Sequence, residues 1–181
     1  MTNRHKRMGD KAEREGFAVL QALASDLLMP GAGREFGAGR AVDVGDLKAF
    51  PDVAVQVRRR ANLWQAIHTA AADAMVQAAN RQVPHALGMV PLMGARCPSV
   101  RWLAACRCWP MPLEPDEFVV TGSAMAAARH ARDDLLAGPR ESRVALACRH
   151  GHPDVFVAPI EAWLHAYRRA IRTATPPARV G

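Results

Sequence analysis

The alternation of residues 52–58 constrains the fold of this chain more than any other feature. Three valines, Val53, Val55 and Val57, alternate there with Ala54, Gln56 and Arg58. A period of two in a run rich in β-branched residues predicts a β-strand. Side chains two residues apart share one face of a strand, so Gln56 and Arg58 are expected to project together.

A shorter alternating run precedes this strand at residues 41–44, and Gly45 offers a turn or a bulge before Asp46. Phe50, Pro51 and Asp52 separate the two runs as a hairpin connection does. Antiparallel pairing of the runs would bring Asp46 near Gln56 and Arg58. Carboxylate and amide oxygens are ligands that Mg²⁺ accepts, so Mg²⁺, or Mn²⁺ in its place, is the expected cofactor.

This arrangement resembles the PD-(D/E)XK nuclease superfamily, and within it the small endonucleases similar to Holliday-junction resolvases that are common in phages and actinobacteria. In that family an Asp after a Gly is separated by nine residues from Glu-X-Lys on the next strand. The segment from Asp46 to Gln56-Val57-Arg58 keeps this spacing. An acidic opening helix, an Arg before the Asp and an Ala-rich helix followed by an apolar strand also agree. The resemblance covers residues 9–95, with weaker agreement to about residue 137.

The resemblance implies an α/β fold with a restriction-endonuclease-like core, in which helices flank a mixed central β-sheet. It implies a metal-dependent DNA endonuclease that hydrolyses phosphodiester bonds. Asp46, Gln56 and the carbonyl of Val57 would bind the metal, Arg58 would stabilise the phosphate, and Glu13 would orient water or a second ion.

Two departures from the family pattern favour an alternative. Gln56 replaces the family Glu and carries no negative charge, so metal affinity should fall. Arg58 replaces the family Lys; it keeps the positive charge but cannot act as a base near neutral pH. The alternative function is therefore a catalytically inactive nuclease-fold module for DNA binding or assembly.

The second acidic contribution is expected from an opening helix over residues 10–29. Apolar residues recur there at helical spacing, and Pro30-Gly31 ends the run. Glu13 lies one turn before Phe17 on the inward face, and Glu15 is the competing register. Either residue alone is equally compatible with a solvated helix start.

The net charge of +7 favours a polyanionic partner, and DNA is the expected one. The candidate contacts are Arg34, Arg40, Arg59, Arg60 and the basic residues 3–7. A high-GC genome would also enrich Arg and Ala, so charge alone does not decide. A homodimer is expected if the substrate is a four-way junction, because that substrate is two-fold symmetric.

The chain is predicted to form one domain with additions. Residues 1–8 are a basic flexible arm, residues 9–137 the nuclease-like core, residues 138–172 a strand and helix extension of the same domain, and residues 173–181 a disordered tail. A helix capped by Asn62 is expected over residues 63–80, and strands over residues 85–90, 118–120, 144–147 and 155–157. With no transmembrane span or signal peptide in the sequence, a cytoplasmic protein without membrane association is expected.

Four cysteines, Cys97, Cys106, Cys108 and Cys148, raise the question of zinc. Their spacing lacks the short Cys knuckle of structural zinc sites, so a zinc site is not expected. Disulfides are not expected either, because the compartment is predicted to be reducing.

Overall fold

The computed structural model describes residues 2–35, 45–92, 101–132 and 139–174. The helices within these ranges are α1 (Thr2–Ala24), α2 (Leu63–Arg81), α3 (Ala124–Ala131) and α4 (Ile160–Ala174). The strands are β1 (Gly33–Arg34), β2 (Leu47–Lys48), β3 (Val53–Val57), β4 (His85–Pro91), β5 (Trp102–Cys106), β6 (Val119–Thr121), β7 (Ala145–Arg149) and β8 (His152–Pro159). Short 3₁₀ turns occupy Ser25–Leu27 and Arg140–Ser142.

All eight of these strands belong to one sheet, in the order β1-β2-β3-β4-β5-β8-β7-β6. The pairs β3–β4 and β6–β7 are parallel, and the other neighbours are antiparallel. Each parallel pair is joined through a helix, α2 in the first and α3 in the second. The prediction of an α/β fold with a mixed sheet flanked by helices is confirmed.

The alternation in β3 places its side chains on two different faces, as predicted. Val53, Val55 and Val57 belong to the apolar core that also contains residues of α1 and α4. Ala54 instead packs with alanines of α2. Because alternate side chains share one face of a strand, Gln56 and Arg58 lie on the same face as Ala54. This is the face that α2 covers.

Small residues allow α2 to lie close to the sheet. Asn62 caps the helix as predicted, since its side chain accepts a hydrogen bond from the backbone amide of Gln65 at 3.2 Å. Beneath the helix, a Cβ added to Gly88 would lie 2.7 Å from the carbonyl carbon of Ala70 and 2.7 Å from the carbonyl oxygen of Ala105. Strand β4 therefore needs glycine at this position.

The central strand β5 was not predicted from the sequence. All five of its residues are buried between β4 and β8. A strand covered on both faces reads as a continuous apolar run, which lacks the alternation that identified β3.

Several predicted boundaries differ from the structure. Helix α1 begins at Thr2, before the predicted start of the opening helix at residue 10. The strand that pairs with β3 is Leu47–Lys48, while the run at residues 41–44 lies outside the described residues. Helix α4 continues to Ala174, past the predicted start of the tail at residue 173. Residues 175–181 are outside the described part.

The C-terminal part of the chain contributes to the same sheet and core. Strands β7 and β8 extend the sheet beyond β5, and α4 packs on the face that α1 also covers. The rings of Trp163 and Tyr167 of α4 stack with their centroids 5.1 Å apart, and the centroids of the Phe50 and Tyr167 rings are 5.3 Å apart. In the described ranges, no helix has the length and apolar character needed to cross a membrane.

Candidate functional site

The backbone of the β2–β3 hairpin fixes the position of Asp46. Gly45 has φ +109°, and a Cβ there would lie 3.0 Å from the carbonyl oxygen of Val55. The amide of Asp46 donates to that same carbonyl at 3.0 Å. Glycine is required at residue 45 for both its conformation and its space, and the bulge or turn predicted there is confirmed.

The carboxylate of Asp46 lies against the end of β3. Its Oδ2 atom accepts a hydrogen bond from the backbone amide of Val57 at 2.9 Å and from Nη1 of Arg58 at 3.1 Å. The same oxygen accepts a hydrogen bond from Nε2 of Gln56. The predicted meeting of Asp46, Gln56 and Arg58 is confirmed.

Arg58 links two carboxylates and a backbone carbonyl. Its Nη1 atom donates to Asp46 and also to the carbonyl oxygen of Val57 at 3.1 Å. Its Nε atom donates to Oδ2 of Asp73 at 2.7 Å. We refer to Asp46, Gln56, Val57, Arg58 and Asp73 as the Asp46 cluster.

Gln56 of this cluster and the neighbouring Gln77 each have a buried oxygen that accepts no hydrogen bond within the described residues. Gln56 is completely buried, and its Oε1 has no donor. Gln77 of α2 is also buried, and its Oε1 faces Gly45. A buried oxygen without a donor is energetically costly, so the site holds acceptor capacity that the described residues do not use.

The pKa of Asp46 is raised above its usual range. Burial is the main cause, and the negative charge of Glu13 adds to it. The hydrogen bond from Val57, the charge of Arg58 and the hydrogen bond from Gln56 act in the opposite direction. Burial therefore outweighs the paired guanidinium, although the Asp46 side chain keeps 20 % of its exposure.

A second group of charges lies between α1 and β1. Arg34 donates from Nε and Nη2 to Oε2 of Glu13, at 3.0 and 2.6 Å, and from Nη2 to Oδ1 of Asp10 at 3.0 Å. Glu13 is near enough to Asp46 to act on its pKa, whereas Glu15 pairs with Lys11. The geometry favours Glu13 over the competing Glu15 register. Arg34, predicted to contact nucleic acid, is paired with these two carboxylates.

The arrangement of donors does not fit a metal held by the expected ligands. Arg58 Nη1 bonds to two of the three expected ligand atoms, the Asp46 carboxylate and the Val57 carbonyl. Gln56, the third, presents its NH₂ group to Asp46 rather than its oxygen. A guanidinium is thus the positive charge between these oxygens.

Other predicted residues are dispersed. Arg59 and Arg60 follow β3 directly, with Arg60 exposed, and Arg40 lies outside the described residues. Of the cysteines, Cys106 is buried in β5, Cys148 is half-buried and Cys108 is exposed, all three as free thiols. Burial raises the pKa of Cys106, and Cys97 lies outside the described residues.

Sequence reasoning missed Asp73, Asp10 and Gln77. Asp73 could have been recognised as a candidate from the sequence, because it is the single acidic residue of α2. Asp10 and Gln77 left no such signal, since acidic residues and glutamines are common within helices.

We found no family model, no curated protein and no solved structure that matches this chain.

Proposed function

We propose that this protein is a DNA-binding protein of nuclease-like design in which Arg58 provides the positive charge that a metal ion supplies in an active nuclease. The observation that carries the proposal is the double contact of Arg58 Nη1 with Asp46 and Val57. A guanidinium stays protonated near neutral pH, so it holds this position without an exchangeable ion.

The order of the elements supports the nuclease-like part of the proposal. An opening helix with Glu13, a strand with Arg34, the Asp46 hairpin, the α2 helix and the apolar β4 strand follow one another as the resemblance implies. The net charge of +7 and the run of Arg58, Arg59 and Arg60 at the end of β3 support DNA as the partner.

The Asp46 cluster gives this protein a way to bind phosphate without hydrolysing it. Arg58 is only partly buried, with 27 % of its side chain exposed, so a phosphate oxygen can approach it. Charge-assisted hydrogen bonds from Arg to phosphate are strong and directional. The two residues that replace the family Glu and Lys supply no base to activate water, because an amide does not titrate and a guanidinium keeps its proton near neutral pH.

A metal-dependent endonuclease similar to Holliday-junction resolvases is the second candidate. The observation that favours it is the buried Oε1 of Gln56, which accepts no hydrogen bond in the described residues, together with the proximity of Glu13 to Asp46. For this function the Gln56 amide would turn its oxygen toward Asp46, and Arg58 would leave Asp46 and remain on Asp73.

Cleavage and binding assays separate the two candidates. Labelled four-way-junction, duplex and single-stranded DNA are incubated with the protein and Mg²⁺ or Mn²⁺, and binding is measured in parallel by fluorescence anisotropy over about 50 to 200 mM salt. We expect salt-dependent binding and no cleavage by the wild type. We expect the Gln56→Glu, Arg58→Lys double variant to cleave, and a further Asp46→Ala change to abolish that cleavage.

Metal-dependent cleavage by the wild type that is lost in Asp46→Ala would establish the second candidate instead. Failure of the wild type to bind any of these DNAs at low salt would contradict both. Circular dichroism of each variant, with Asp46→Asn as the milder substitution, shows whether a loss of function is a loss of fold.

A further inference from the structure

An aromatic and basic patch lies outside the Asp46 cluster, where the start of α2 meets the β7–β8 hairpin. We call Trp64, His68, Arg107, Arg149 and His152 the Trp64 patch. The ring centroids of Trp64 and His68 are 4.7 Å apart, those of Trp64 and His152 are 5.3 Å apart, and those of the two histidines 5.7 Å. Three rings from two separate elements therefore form one aromatic cluster, in which Trp64 and His68 are half-buried and His152 is exposed.

Arginines border this surface. The Arg149 guanidinium lies 6.0 Å from the centroid of the Trp64 ring, within the range of a cation–π interaction. Arg107 donates from Nη1 to the carbonyl oxygens of Pro153 at 2.6 Å and Asp154 at 2.9 Å, which fixes its guanidinium beside the hairpin. Arg149 and His152 are exposed.

The basic groups of the patch lie close enough to His68 to change its pKa. Burial lowers the pKa of His68, and the positive charges of Arg107, His152 and Arg149 lower it further. Burial lowers the pKa of Arg107, and the carboxylate of Asp154 acts in the opposite direction. A guanidinium group keeps its proton near neutral pH, so the patch attracts anions.

Aromatic rings bordered by guanidinium groups match the chemistry of a nucleotide with an accessible base. A base can stack on the rings while its phosphate pairs with an arginine. In duplex DNA the faces of the bases are covered by their neighbours, whereas an unpaired base exposes its face. An acidic peptide would match the charge of the patch but leave the rings without a partner.

We propose that the Trp64 patch binds single-stranded DNA, with a base stacked on Trp64 and its flanking phosphates on Arg107 and Arg149. The base would take the place that the Arg149 guanidinium holds over the Trp64 ring. This inference rests on the proposed DNA-binding function and adds to it a surface that binds unpaired strands.

Anisotropy titrations of labelled oligothymidylate test the patch, with duplex DNA of mixed sequence titrated alongside. Trp64→Leu is expected to weaken oligothymidylate binding about tenfold while leaving the slope of log affinity against log salt unchanged, because stacking releases no counterions. Arg149→Gln is expected to reduce that slope by about 0.7. The control variant, Arg172→Gln on α4, removes an exposed charge elsewhere. It should leave unchanged both the stacking contribution to oligothymidylate affinity and the ratio of the affinities for oligothymidylate and duplex DNA.

Because Trp64 is half-buried and its replacement could disturb the fold, His152→Ala serves as the second aromatic variant. It is expected to weaken oligothymidylate binding while the melting temperature stays that of the wild type. Unchanged affinity in Trp64→Leu, Arg149→Gln and His152→Ala would overturn the inference, with the DNA-binding function intact if the wild type binds. No binding of the wild type to any DNA would overturn both. Equal binding of polyglutamate, unaffected by Trp64→Leu, would assign the patch to acidic polypeptides and overturn the inference as well.

Discussion

Two strand-helix-strand units in the described part of the chain differ in what covers their first strand. In the first, β3 and β4 are parallel neighbours joined through α2; in the second, β6 and β7 are parallel neighbours joined through α3. Each unit continues into an antiparallel strand, β5 or β8, and these two strands pair in the middle of the sheet. The two units thus share one topology.

Only the first unit carries the Asp46 cluster. The outer side of β3 is covered by β2, and the turn before β2 holds Asp46 against Gln56 and Arg58. Among the described strands β6 has a neighbour on one side, and its Val119 and Val120 are 40 % and 67 % exposed. In this molecule the charged site lies where the β2–β3 hairpin encloses the end of the first strand of its unit.

The largest effect on stability is expected from a substitution that disturbs the close packing of α2 on β4. Gly88→Ala would place a Cβ 2.7 Å from backbone atoms of both α2 and β5, so one of these elements must shift. We expect a loss of about 3 kcal/mol in the free energy of unfolding, measured by urea denaturation. Gly122→Ala, at the strand–helix junction of the second unit, meets no atom within 4 Å and is the matched control. Equal stability of the two variants would contradict the close packing.

Removing the guanidinium of the first unit should have the next largest effect. Arg58→Met leaves Asp46 and Asp73 without their shared partner, and we expect a loss of about 2 to 3 kcal/mol in unfolding free energy. Arg60→Met, two residues along and exposed, should change it by less than about 0.5 kcal/mol. A similar small change in both variants would show that Arg58 does not hold the two carboxylates together.

The raised pKa of Asp46 predicts a smaller, pH-dependent effect. Its folded-state pKa lies above the unfolded value of about 3.9, so the folded protein holds the proton more tightly. The resulting stabilisation is present below that unfolded value and is lost as the pH rises through the folded pKa. Relative to Asp46→Asn, the wild type should therefore lose stability between pH values near 4 and neutrality, as measured by urea denaturation at each pH. A relative gain with rising pH would show that the ion pair with Arg58 outweighs burial.

The smallest effect on stability is expected from a substitution in β6, the first strand of the second unit. Val120→Thr should change the free energy of unfolding by less than about 0.5 kcal/mol, because the side chain is 67 % exposed. Val55→Thr, in the enclosed strand β3, is the contrasting variant and should cost more than 1 kcal/mol, roughly the cost of burying a hydroxyl. Equal costs in urea denaturation would mean that β6 is as enclosed as β3.

Most strands and helices of both units could be predicted, whereas strand β5 and the order of the strands in the sheet could not. Asn62, the alternation in β3 and the alanines of α2 are local signals, because capping and periodicity depend on neighbouring residues alone. Strand β5 escaped prediction because a strand buried on both faces has no period. The topology that sets β8 beside β5 pairs residues that are fifty or more positions apart, and no local pattern encodes that pairing.

The sequence by itself determined that Asp46, Gln56 and Arg58 meet at the end of one strand, since a hairpin of fixed spacing and a period of two decide which side chains share a face. Only the tertiary structure decided what Arg58 does there. Asp73 comes from α2 and Glu13 from α1, and the donor that each carboxylate accepts depends on how those helices pack on the sheet. The same holds for the Trp64 patch, which is assembled from α2, the end of β5 and the β7–β8 hairpin.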